Sequence, residues 1–69
     1  MPLIYANPGE ENIIKRIGGS SDIKRHLEDL GFTPGGTVTL ISILNGNIIV
    51  KVKESRIALS EDMARRVFV

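Results

Sequence analysis

The sequence predicts a mainly β domain: a small closed barrel of five to six short strands, one α-helix over about 20–30 and a short helical turn over about 60–65. Three observations predict it. The apolar residues are mostly Ile, Val and Leu, and β-branched side chains suit a pleated, half-buried surface. Short apolar runs alternate with turn signals at Asn7-Pro8-Gly9, Gly18-Gly19, Thr33-Pro34-Gly35-Gly36 and Asn45-Gly46-Asn47. The chain has 69 residues, enough for one domain spanning 1–69 but too few for a sandwich of two sheets.

The elements follow in order. Pro2-Leu3-Ile4-Tyr5-Ala6 reads as a first or edge strand, because Pro2 has no N–H for a ladder. Asn12 to Ile17 reads as a mixed strand with Ile13 and Ile17 on one face and Ile14 on the other, ended by Gly18-Gly19. Ser20 or Ser21 then caps a helix, and Asp22 places negative charge at its positive end. Ile23, Leu27 and Leu30 recur at i, i+4 and i+7 and form the stripe that faces the core. Gly31 is placed for a left-handed C-cap, and Phe32 for packing back onto the helix end. Thr33-Pro34-Gly35-Gly36 has the residue order of a type II turn. Strands over Thr37 to Leu44 and Ile48 to Lys53 follow, then Arg56 to Leu59 with Ile57 and Leu59 on one side. Ser60 caps a helical turn that runs from Glu61-Asp62 to Arg65, and Val67-Phe68-Val69 closes the chain as a strand. Short strands with Gly/Pro turns on so small a chain indicate an SH3-like barrel.

The register of the Thr37–Lys53 hairpin has two solutions. A two-residue Asn45-Gly46 turn pairs Leu44 with Asn47, and a regular ladder then sets Val38 and Leu40 opposite Lys53 and Lys51. A three-residue loop pairs Leu44 with Ile48 and Leu40 with Val52, and turns Val38, Leu40, Val50 and Val52 inward together. The second is the register expected. It leaves Ile41, Ile43 and Ile49 outward beside Lys51 and Lys53, an apolar cluster suited to a partner. The competing reading is a bulge that turns part of the first strand inward.

Composition narrows the function. Nine Lys/Arg against eight Asp/Glu give a net charge of +1, without the basic excess of a phosphate-backbone binder. Lys51, Lys53, Arg56, Arg65 and Arg66 could share one basic patch, but Tyr5, Phe32 and Phe68 are far apart in sequence, and the last two read as core, so no stacking platform for bases is expected. Absence of cysteine removes disulfides and thiol chemistry and agrees with a reducing cytoplasm. No leader or spanning segment is expected, and hence no direct membrane insertion. With one His and no assembled Ser/His/Asp set, an enzyme is not expected. His26 reads as a half-buried hydrogen-bond donor at the margin of the helix stripe. As a metal ligand it has one carboxylate on its side, Asp22 at i−4, which makes a two-donor surface site for a divalent transition metal. A fuller site would be shared between copies by self-association. The pairs Glu10-Glu11, Glu28-Asp29 and Glu61-Asp62 read as solvated charge.

Three stretches carry a family resemblance: Arg25-His26-Leu27-Glu28-Asp29-Leu30-Gly31-Phe32-Thr33-Pro34-Gly35, the strand pair around Ile48 to Val52, and the ending Ile57-Ala58-Leu59 to Val67-Phe68-Val69. In order and spacing the chain resembles the FeoA family, which includes the SH3-like domain at the C-terminus of iron-dependent repressors. The resemblance implies a cytoplasmic SH3-like barrel that requires no cofactor. It implies action with the ferrous-iron permease FeoB through the permease's cytoplasmic part. Transition-metal binding is attributed to related domains. Two departures stand out: His26 occupies a place commonly held by Arg, and the loop Asn45-Gly46-Asn47 is shorter than usual. The partner surface expected is Ile41, Ile43, Ile49 and Lys51 with Asn45, Gly46 and Asn47. The alternatives are a partner domain for a metal-dependent transcriptional regulator and a small nucleic-acid-binding barrel.

Overall fold

The computed structural model describes residues 1–69. Pro2, at φ −62° and ψ 144°, sends the chain into a single 3-10 turn, Leu3–Tyr5. The strand expected over residues 2–6 is therefore absent, save for an isolated bridge between Pro2 and Phe68. The reason lies in burial. Leu3 and Ala6 are both buried while Tyr5 is 63% exposed. A three-residue period puts Leu3 and Ala6 on one face, whereas a strand would pair Leu3 with Tyr5. The Tyr5 N–H donates to the Pro2 carbonyl (3.1 Å) and the Ala6 N–H to the Leu3 carbonyl (2.9 Å).

The strand expected over residues 12–17 divides in two, β1 (Glu11–Ile13) and β2 (Arg16–Ile17). Between them Ile14 exchanges bonds with the Pro34–Gly36 turn: its N–H donates to Gly36 and its carbonyl accepts from Gly35, both at 2.8 Å. Lys15 then donates to Phe68 (2.7 Å), so the chain crosses from one sheet to another. That crossing buries both Ile14 and Ile17 and leaves Ile13 exposed, which a single period-2 strand cannot do.

Helix α1 (Ser21–Asp29) begins at Ser20, whose Oγ accepts from the Ile23 N–H at 3.3 Å. Its exit is a Schellman motif. Gly31, at φ +107°, donates to Glu28 (2.9 Å), and Phe32 donates to Leu27 (3.0 Å). This throws Phe32 back under the helix, where it and Leu27 are fully buried, with Ile23 and Leu30 half-buried beside them.

Strands β3 (Thr37–Leu44), β4 (Asn47–Val52) and β5 (Ser55–Ser60) form an antiparallel meander, with β1 on the outer side of β3. Ser60 caps the short helix α2 (Glu61–Ala64), its Oγ accepting from the Met63 N–H at 3.2 Å. Strand β6 (Val67–Phe68) pairs with β2 as a second sheet. The two sheets enclose one aliphatic core built from Val38, Leu40, Ile48, Val50, Val52 and Leu59, closed by Leu3, Leu27, Phe32 and Val67. Phe68, read from the sequence as core, is half-buried and carries the Arg16 guanidinium 3.9 Å from its ring centroid.

One local feature works against stability. Lys51 of β4 stands directly opposite Arg56 of β5, both exposed and neither in a salt bridge. Like charges in register repel. Arg56→Glu is expected to raise the unfolding free energy by about 0.2–1 kcal/mol, read from urea denaturation.

Candidate functional site

The hairpin β3–β4 settles the register question against the three-residue loop and in favour of the bulge. Asn45 (φ 50°) and Gly46 (φ 81°) form a two-residue turn with positive φ at both positions, and Leu44 pairs with Asn47. This is the Asn-Gly type I′ preference. The clash between Leu40 and Lys51 is avoided by a bulge: the register shifts between Leu40 and Ser42, so that Leu40 meets Val50 and Val38 meets Val52. Ile41 is the extra residue, half-buried at the bend.

The bulge rearranges the expected partner surface. Ile43 stands opposite the buried Ile48, so it lies on the inner face, carried past the end of the core and 56% exposed. Ile49 pairs with Ser42 and Ala58 and lies on the outer face, half-buried, with Lys51 two residues on. Ile41, Ile43 and Ile49 therefore do not form one outward cluster. Leu44, which the three-residue loop would have turned inward, is 62% exposed and lies diagonally across the outer face from Ile49. The Asn45-Gly46 dipeptide was the signal that could have found Leu44, because a type I′ turn fixes the last pair of the ladder. The result is an arm: Ile43 and Leu44 present apolar surface on its two sides, the exposed polar residues Asn45, Gly46 and Asn47 form its tip, and Lys51 sits at its base.

Other expected features take different positions. His26 is exposed rather than half-buried, and its ring donates no hydrogen bond. Leu27 holds the centre of the buried face, and the margin where His26 sits has already turned to water. Asp22 is exposed on the same helix one turn earlier. Nowhere in the fold do three or more His, Cys, Asp or Glu side chains come together in a metal-binding group. One protomer's donors do not fit a closed tetrahedral site, which takes four ligands. The basic residues are also divided. Lys51 and Arg56 share a rung of the sheet, while Arg65 and Arg66 pair with Glu61 (2.6 Å) and Asp62 (3.8 Å) and line a groove with Arg16. The hydrogen bond and charge of Glu61 push the Arg65 guanidinium pKa above its ordinary value, so it stays cationic wherever the fold persists.

A family model for the FeoA domain matches residues 1–69. The putative Fe(2+) transport protein A of Methanocaldococcus jannaschii is 32% identical over 68 residues, covering 99% of this chain and 83% of that protein. The crystal structure of an iron uptake regulatory protein, FeoA, is similar with a TM-score of 0.88 at 31% identity, over 97% of this chain and 91% of that one. Stenotrophomonas maltophilia FeoA in complex with zinc, described as a prokaryotic SH3 domain protein, is similar with a TM-score of 0.85 at 24% identity, over 99% of this chain and 87% of that one. The last likeness speaks to the fold, an SH3-like barrel. Together with a sequence match over the whole described chain, these comparisons place the chain in the FeoA family.

Proposed function

We propose that the chain is a non-enzymatic cytoplasmic accessory of ferrous iron uptake that docks on the cytoplasmic part of an FeoB-type permease through the β3–β4 arm. Membership of the family and the names of its relatives support the iron-transport part of this reading. The observation that carries the docking part is the exposure of Ile43 and Leu44 on a hairpin whose base, at Val38, Leu40, Val50 and Val52, is buried in the core. An apolar anchor surrounded by polar residues is the arrangement from which protein interfaces draw most of their energy. Lys51 and Arg56 at the base of the arm, both free of carboxylates, supply the charge that orients an acidic partner. No helix of the chain is long and apolar enough to cross a membrane, so on this reading contact is made at the permease's water-exposed domain.

The test is a pulldown and calorimetric titration with the permease's isolated cytoplasmic domain. The double substitution Ile43→Lys and Leu44→Lys is expected to weaken binding by at least about 100-fold, from two anchors of about 1.4 kcal/mol each. Both side chains are exposed, so the circular dichroism spectrum and thermal midpoint should stay close to those of the wild-type chain. Unchanged affinity in the double variant would remove the arm from the interface.

A further inference from the structure

On the opposite side of the sequence from the arm, β2 and the segment after α2 enclose a groove of about 420 Å³. Its walls carry three guanidinium groups, those of Arg16, Arg65 and Arg66, with Asp62 and the Phe68 ring between them. Each arginine is held differently. Arg65 is committed to Glu61 at 2.6 Å. Arg16 lies over the Phe68 ring, its Cζ 3.9 Å from the centroid, and pairs with no carboxylate. Arg66 makes a loose 3.8 Å contact with Asp62, and its Nε is buried with no hydrogen-bond partner.

The floor of the groove is backbone, and side chains would fill it. A Cβ on Gly19 would come within 3.1 Å of Arg66 Nη1 and 3.2 Å of its Cδ, and one on Gly18 within 3.2 Å of Phe68 Cε2. The Gly19 N–H, at the same floor, donates to no protein acceptor. The fold therefore brings the Arg16 guanidinium over Phe68, a weakly held Arg66 guanidinium and an unbonded backbone N–H to one depression. The rest of the Arg66 guanidinium has only the 3.8 Å contact with Asp62, and a ligand oxygen in the groove would give it a closer partner.

We propose that this groove is a phosphate-binding site, which takes the phosphate group of a small molecule against Arg16, Arg66 and the Gly19 N–H. The donors come from two segments, β2 with the glycines after it and the stretch after α2. A tetrahedral oxyanion offers an oxygen to each of them, whereas a carboxylate has two oxygens in one plane. Asp62 acts as a brake, competing for Arg66 and adding like charge to the incoming anion. None of these residues belongs to the docking arm, so the two readings stand or fall separately.

The experiment is a ¹H–¹⁵N titration of the full chain with inorganic phosphate, with a nucleoside monophosphate, and with acetate as the carboxylate control, all at constant ionic strength. Saturable shifts are expected at the Gly19 amide and at the Arg16 and Arg66 Nε–H resonances, with phosphate and not with acetate. Arg16→Gln should weaken phosphate at least about tenfold. Asp62→Asn, an exposed change that leaves the core untouched, should tighten it several-fold. A lower midpoint for the nucleotide would assign the remainder of the groove to a nucleoside; equal midpoints would assign the phosphate group alone. Shifts that fail to saturate, that acetate reproduces, or that Asp62→Asn leaves unchanged would overturn the proposal, and the Asp62 arm decides even if Arg16→Gln disturbs folding.

Discussion

Phe32→Ala is expected to remove about half or more of the domain's unfolding free energy at 25 °C. Phe32 is fully buried and is the largest fully buried side chain of the domain. Truncating a buried Phe to Ala costs about 3–5 kcal/mol, from lost transfer energy and from the cavity left behind. A chain of 69 residues has a total stability of only about 3–10 kcal/mol at about 0.05–0.15 kcal/mol per residue. The substitution removes a large part of that margin. It also strips the apolar contact from the helix exit, since the Phe32 N–H to Leu27 bond and the ring's burial are parts of one Schellman motif. Urea denaturation followed by far-ultraviolet circular dichroism measures the loss. A midpoint within experimental error of wild type would mean that α1 is not seated on the core as described.

Leu3→Ala is the second large effect, and its contrast with Tyr5→Ala is diagnostic. Leu3 is fully buried, so its truncation should cost about 2–5 kcal/mol. Tyr5 is 63% exposed and its truncation should fall within about 0.5 kcal/mol of neutral. A strand over residues 2–6 would set Leu3 and Tyr5 on one face and give them similar costs. The 3-10 turn separates them. Similar losses for both variants would restore the strand.

These contrasts mark where the sequence was legible. The helix and both of its ends could be read locally, because caps are decided by neighbours within four or five residues: Ser20 at the start, Gly31 and Phe32 at the end. The turn Thr33–Gly36 was likewise self-contained, with the Gly36 N–H bonded to Thr33 at 2.9 Å. Residues 12–17 were not legible, because the break at Ile14-Lys15 is imposed by partners at Gly35, Gly36 and Phe68, more than twenty residues away. Periodicity assumes one sheet, and the chain changes sheets there. The arm failed for a related reason. Two local rules conflicted, Asn-Gly turn geometry and inward alternation, and a bulge at Ile41 satisfies both at the cost of one unpaired residue. That bulge moved Ile43 to the inner face and exposed Leu44, so the candidate surface kept its place in the fold and changed its membership. The Arg16/Arg66 groove could not be seen from sequence spacing, because β2 and β6 meet only through tertiary pairing of Arg16 with Phe68.

The docking arm is the centre of this account, and a chemical-shift map tests it most directly. Labelled chain titrated with the cytoplasmic domain of an FeoB-type permease should lose or shift signals first at residues 41–49 and Lys51, with the face of α1 around Asp22 and His26 unaffected. Perturbations confined to α1 or to the arginine groove, with the Leu44, Asn45 and Gly46 amides unmoved at saturation, would contradict it.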